Sequence, residues 1–170
     1  NREDAVQRSF EPEMKLRGAA FFPESYISDT GLRYQIYRKL SYAGNGSAED
    51  LDALSEELIA RFGPLPASAE ALLATLAIKQ RLRLLRIKRL EQGQQSLILS
   101  FDENTPVDPQ DILTFVKKEN TGKKKASLCR LTPDGQLVVP SQDRTDIFSE
   151  IDRILSLLES ASRPVEETVH

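Results

Sequence analysis

Phe62-Gly63-Pro64-Leu65-Pro66 cannot lie inside a helix or in a central strand. Two prolines in three residues remove two backbone donors and hold φ near −65°, while the glycine ahead of them tolerates a left-handed backbone. Upstream, Leu51, Leu54, Leu58 and Phe62 recur at helical spacing. They follow Ser47-Ala48-Glu49-Asp50, a capping-box signature in which the serine hydroxyl meets free amides and Asp50 reaches back to the cap. A helix closed at both ends is therefore predicted. Gly63 is its left-handed C′ residue, Pro64 and Pro66 suit the first turn of the next helix, and FGPLP is a helix-to-helix corner.

Other elements attach to this corner on both sides. Asp29 precedes Leu32, Ile36 and Leu40, whose four-residue spacing predicts a helix that AGNGS ends. From Ala67 to about Arg86 there is almost no breaker, and Ile78, Leu82 and Leu85 form the core stripe of a third, long helix. IKRL and SLILSF flank EQGQQ as a hairpin turning near Gly93. Asp108-Pro109 then caps a short helix whose buried side is read as Ile112, Leu113 and Val116. ASLCRL and QLVVP flank Pro133-Asp134-Gly135 as a second hairpin, and Ile147, Ile151, Ile154 and Leu158 mark a final helix.

The order ααα-ββα-ββα is neither an alternating βαβ pattern nor a bundle. It predicts an α+β fold, an N-terminal three-helix half packed with a small, mostly antiparallel sheet. Residues 1–25 are read as a lead-in linker docked through Phe21 and Phe22, residues 26–160 as a single α+β domain, and residues 161–170 as a flexible tail. The start at NREDAVQRSF, inside a charged run and without methionine, is read as that of a fragment of a longer protein.

Composition narrows the function classes. A formal net charge of −3 offers no general attraction to nucleic acid or anionic lipid, so any such contact must be a local patch. No apolar run approaches the roughly 20 residues of a membrane span. One cysteine, Cys129, precludes an internal disulfide, and a reducing, cytoplasmic location is expected. The sequence contains no GxxxxGK[ST] loop, GxGxxG fingerprint or calcium loop. Neither a nucleotide nor another cofactor is expected. His170 is the only histidine, so the usual ligands of a structural zinc site are missing. Cys129 is read as a buried thiol in an apolar strand, far in character from the polar tail that carries His170. No catalytic residue emerges.

Two surfaces remain. KQRLRLLRIKR, residues 79–89, sets Lys79, Arg83 and Arg86 on one helical side, where they can meet phosphates or merely form the solvated face opposite the leucines. Without interleaved aromatics it is a poor stacking platform. The second helix carries Ala53, Glu56, Glu57, Ala60 and Arg61 away from its leucine stripe. Small residues beside carboxylates allow close approach of another surface, although a solvated face is the ordinary reading.

FFPESYISDTGLRYQIYRKL followed by DLDALSEELIARFGPLP resembles the carboxy-terminal domain of the bacterial transcription-repair coupling factor family. The likeness is carried by Pro23–Ile27, by the stretch through Tyr37 to Leu40 and by Glu57–Pro66, and extends from about Leu16 to Leu90. In that family the whole protein is an ATP-driven double-stranded DNA translocase. It displaces stalled RNA polymerase and recruits UvrA for nucleotide excision repair. The resemblance implies a non-catalytic regulatory domain here, packing on the amino-terminal UvrB-like module and masking its UvrA-binding surface; the alternative is an accessory nucleic-acid-binding domain using the basic helix 79–89, and any DNA binding through that run is expected to be weak and non-specific. Members commonly read E-L-I-D-R-F-G, with carboxylates facing basic residues of that module. This chain keeps Glu57 but has Ala60 in place of the aspartate, leaving Glu56 as a partial substitute. Relatives often place glycine after the long helix, where this chain has Arg86.

Overall fold

The computed structural model describes residues 10–125, 128–141 and 146–162. Two compact units divide it: Arg17–Arg81 forms one, and the described residues up to Leu16 and from Leu82 onward form the other.

The helical unit begins with Phe22 and Ile27, both buried, and continues into α1 (Thr30–Gly44), α2 (Ala48–Phe62) and most of α3 (Ala67–Leu85). Each boundary has a local cause. The Asp29 carboxylate caps α1 by accepting from the Leu32 amide at 2.7 Å. At α2 the capping box closes in both directions: the Ser47 hydroxyl accepts from the Asp50 amide, and Asp50 accepts from the Ser47 amide at 2.8 Å. Gly63 ends α2 with φ 87° and ψ −169°. The positive φ is as expected, but the ψ is extended rather than helical, a region essentially reserved for glycine. The Pro66 carbonyl then accepts from the Ala69 and Glu70 amides, opening α3.

Ile36, Leu40 and Ala43 of α1 and Leu51, Leu54 and Leu58 of α2 close a core with Phe22 and Ile27, joined by Leu72, Leu73 and Leu76 of α3. The lead-in docks differently from its sequence reading. Phe22 is buried with its ring 5.0 Å from that of Tyr37, whereas Phe21 is 46% exposed, its backbone amide donating to the Ser68 carbonyl.

In the sheet unit, β2 (Ile87–Gln92), β3 (Ser96–Phe101), β4 (Arg130–Leu131) and β5 (Gln136–Pro140) join a strand the sequence did not reveal, β1 (Glu13–Lys15). The order across the sheet is β1-β2-β3-β5-β4, with β1 parallel to β2 and every other pair antiparallel. Leu97 faces Val139 and Leu99 faces Leu137, so the buried face of both strands is one apolar ladder. Both edges are very short strands, which limits pairing with other chains.

Helix α4 (Pro109–Asn120) starts at the predicted Asp108 cap with Pro109 in its first turn, and α5 (Ile147–Ala161) starts at Asp146. Ile112 and Phe115 are the buried residues of α4. Leu113 is exposed, because a second buried position three residues on, rather than one, completes the stripe. On α5, Leu155 joins Ile151, Ile154 and Leu158. Cys129 precedes β4 rather than lying within it, and the Asn120 side chain serves as its strand neighbour. That amide donates to the Cys129 carbonyl at 2.8 Å and accepts from its N–H at 2.7 Å. His170 and most of the expected tail lie outside the described residues.

Candidate functional site

An open groove of about 610 Å³ runs between α1 and α2 in the helical unit. Lys39, Tyr42 and Ala43 line it from α1, and Asp50, Ala53, Leu54 and Glu57 line it from α2. Ala43 and Asp50 of its lining flank the α1–α2 corner, where the chain reverses within three residues, Asn45–Ser47. Such a reversal leaves carbonyls in need of donors. One side chain supplies them: the Gln80 amide nitrogen lies 2.9 Å from the Ala43 carbonyl, 3.2 Å from that of Gly46 and 3.0 Å from that of Ser47. At the far end of α2 the Tyr26 hydroxyl bridges the Leu58 and Gly63 carbonyls at 3.1 and 2.8 Å.

Charge is arranged across the groove. Lys39 Nζ lies 2.9 Å from Glu57 Oε1, and Arg61 approaches the same oxygen at 3.9 Å. Tyr42, which lines the same groove, is 77% exposed. The site thus offers a half-exposed ion pair and an exposed aromatic ring over a small-residue floor at Ala53. It presents no nucleophile paired with a base. These features suit protein recognition, since tyrosine supplies contact area at low entropy cost and alanine lets another backbone come close.

The structure brings Ala53 and Glu57 together in this groove. Glu56 and Ala60 are exposed on α2 but do not line it, and the Arg61 guanidinium sits 5.0 Å above the Phe62 ring. Lys39 and Tyr42 were missed because nothing in the α1 sequence says which of its polar residues will face α2. The basic run is divided. Lys79 belongs to the helical unit, while Arg83 and Arg86 belong to the sheet unit. There Arg83 reaches Glu11 at 3.4 Å, and Arg86 bonds Asp102 at 3.1 Å with its guanidinium 4.5 Å over the Phe10 ring. Arg86 makes the turn after α3 itself, at φ 51°, the only non-glycine residue with positive φ among those described.

Cys129 is buried, and burial, with Glu119 nearby, pushes its thiol up to about 11, which keeps it protonated and unreactive near neutrality. Among the described residues no group of three or more histidine, cysteine or acidic side chains is placed to hold a metal ion, and no helix is long and apolar enough to cross a membrane.

Comparison with known proteins bears on this arrangement. The TRCF domain family matches residues 16–112. The transcription-repair-coupling factor of Rickettsia prowazekii (strain Madrid E) is 30% identical over 157 residues, which cover 91% of this chain and 13% of the relative. That of Escherichia coli (strain K12) is 28% identical over 129 residues, covering 70% of this chain and 11% of the relative. The chain therefore spans about one eighth of the length of these relatives. Among solved structures, the crystal structure of the C-terminal domain of transcription-repair coupling factor superposes with a TM-score of 0.71 at 21% identity, covering 92% of this chain and 96% of that one.

Proposed function

The chain belongs to the transcription-repair-coupling factor family, and on that premise we propose that it is a non-catalytic regulatory domain that clamps another module of its parent protein. The parent acts as an ATP-driven DNA translocase that displaces stalled RNA polymerase and recruits UvrA in the cytoplasm. The clamped module is its amino-terminal UvrB-like one, and the clamp masks the surface that UvrA binds. One observation carries this reading: the α1–α2 groove presents Glu57, Ala53 and Tyr42 to solvent, and among the described residues Glu57 is ion-paired only with the exposed Lys39 and Arg61. An incoming basic side chain can replace Lys39 at Glu57 without exposing any core group, because a surface ion pair is worth only about 0–1 kcal/mol. With Ala60 beside it in place of a second carboxylate, Glu57 bears most of the electrostatic contact.

The basic run 79–89 offers no second reading of comparable weight. Arg83 and Arg86 already serve carboxylates of their own unit, and nucleic-acid binding through them is expected to be weak.

Glu57→Lys tests the clamp. Three cations then crowd one groove, and affinity for the separately expressed amino-terminal module should fall at least about tenfold, since like charges across an interface cost on the order of a few kcal/mol. Melting of the domain should shift by no more than the loss of a surface pair, about 1 kcal/mol. In the full-length protein the same change should raise UvrA binding without polymerase. Unchanged affinity in both assays would remove the masking role from this groove.

A further inference from the structure

In the 79–89 run, Arg83, Arg86 and Arg89 are each paired with a carboxylate, whereas a second group of cations lies elsewhere in the sheet unit. Five of the chain's lysines fall within nine residues, Lys117, Lys118, Lys123, Lys124 and Lys125, at the end of α4 and in the turn after it. All five are exposed. The geometry of the turn keeps them together. The Thr121 hydroxyl donates to the Lys117 carbonyl at 3.0 Å, Gly122 reverses the backbone at φ 75°, and the Lys123 amide returns to the Asn120 carbonyl at 3.1 Å. The one carboxylate in the stretch is spent elsewhere: Glu119 is held by the Arg153 guanidinium and approached only by Lys123, at 3.6 Å. Among the described residues, Lys117, Lys118, Lys124 and Lys125 make no ion pair, and Arg130 on the β4 edge is also exposed.

We propose that this lysine turn is a contact surface for the phosphate backbone of a nucleic-acid duplex. The inference stands apart from the clamp, since the turn belongs to the sheet unit and the groove to the helical one. Two features favour a polyphosphate over an acidic protein. Residues 117–125 contain no aromatic or aliphatic anchor, and protein interfaces draw most of their energy from such anchors. Lysines on flexible stems are point charges without a preferred bonding plane, suited to tracking a phosphate row rather than fitting one carboxylate. The negative end of the α4 dipole offsets part of the charge, so the contact is weak, insensitive to sequence and lost in salt.

Fluorescence anisotropy of the whole 170-residue chain with a labelled duplex of about 20 base pairs tests this. Binding is expected at about 20 mM salt, with log affinity falling against log salt at a slope near −2 to −3, as for two or three neutralised phosphates. AT-rich and GC-rich duplexes should bind alike. The variant Lys117→Gln/Lys118→Gln/Lys124→Gln/Lys125→Gln should lose at least about tenfold and flatten the slope while keeping the wild-type circular dichroism and melting curve. Arg38→Gln/Lys88→Gln, which removes two cations elsewhere, should stay within about twofold. Three results would overturn the proposal: no binding at low salt, an equal loss in both variants, or poly-glutamate competing as well as duplex at equal charge.

Discussion

Replacing Gln80 by Glu inverts the polarity of a single contact without changing its shape. Gln80 is 7% exposed, and its amide nitrogen faces three carbonyls at the α1–α2 corner. Two of these have other donors: Ala43 also accepts from the Gly46 amide, and Ser47 from those of Asp50 and Leu51. The Gly46 carbonyl relies on Gln80 alone among the described residues, although Gly46 itself is exposed to water. The deficit is therefore two to three hydrogen bonds at about 1 kcal/mol each, plus the cost of setting a carboxylate against carbonyl lone pairs, in all about 3–4 kcal/mol.

For a chain of this size that lowers Tm by roughly 6–15 °C. The introduced carboxyl will be more basic in the folded protein than in the unfolded chain. Its deficit is therefore full above the folded pKa and shrinks as pH falls, because the protonated acid regains one donor. Urea unfolding at pH 8 and at pH 5 measures both effects. Affinity for the amino-terminal module should fall in parallel, since the corner sets Tyr42 against Asp50 across the groove. Gln80→Ala separates the lost bonds from the added charge: it loses the same bonds but adds no charge, and should show no such pH dependence. If Gln80→Glu is as stable as the wild type at pH 8, or if its deficit is the same at both pH values, the corner is not held by this amide.

Two further predictions concern the sheet unit. Arg153, by hydrogen bonding, and then the charges of Arg153 and Lys123, hold the Glu119 carboxyl below its ordinary value against the opposing effect of burial. Its contribution is present above the unfolded pKa and is lost as pH falls through the folded one. Glu119→Gln should therefore cost about 1 kcal/mol near neutrality, allowing for the half-exposed Arg153, and the difference in urea midpoint from wild type should vanish toward pH 3. At the end of α3, Arg86→Ala and Arg86→Gly both lose the Asp102 pair and the Phe10 stack, but only glycine relieves the positive φ. The glycine variant should be the more stable of the two by about 1 kcal/mol in chemical denaturation, and alanine equalling it would show that the turn is unstrained.

The α+β class, the helices and both hairpins were legible because their signals are local. A cap needs an oxygen within three residues, an apolar stripe needs spacing of three or four, and a glycine or proline acts on its own backbone. Thus Ser47 and Asp50 and the Asp108-Pro109 start stand as the sequence implied, and Gly63 ends α2 with the expected positive φ although its ψ is extended rather than left-handed helical. The three-residue β1 carries no such signal. EMK has too few residues for alternation and forms a strand only because the β2 edge is there to pair with it.

The groove divides in the same way. Ala53 and Glu57 could be found by asking which α2 residues avoid the leucine stripe. That Lys39 and Tyr42 join them, and that Gln80 ties the corner 33 to 37 residues away, depends on how α1, α2 and α3 pack. Likewise, the sequence alone set five lysines together and eleven residues of mixed basic run apart from them. Tertiary structure decided which cations were consumed, by bringing Glu11, Asp102 and Phe10 to Arg83 and Arg86 while, among the described residues, bringing no carboxylate to Lys117, Lys118, Lys124 or Lys125. Charge is written residue by residue along the chain, but neutralisation requires a partner within about 4 Å, and only folding determines which distant residues meet at that distance.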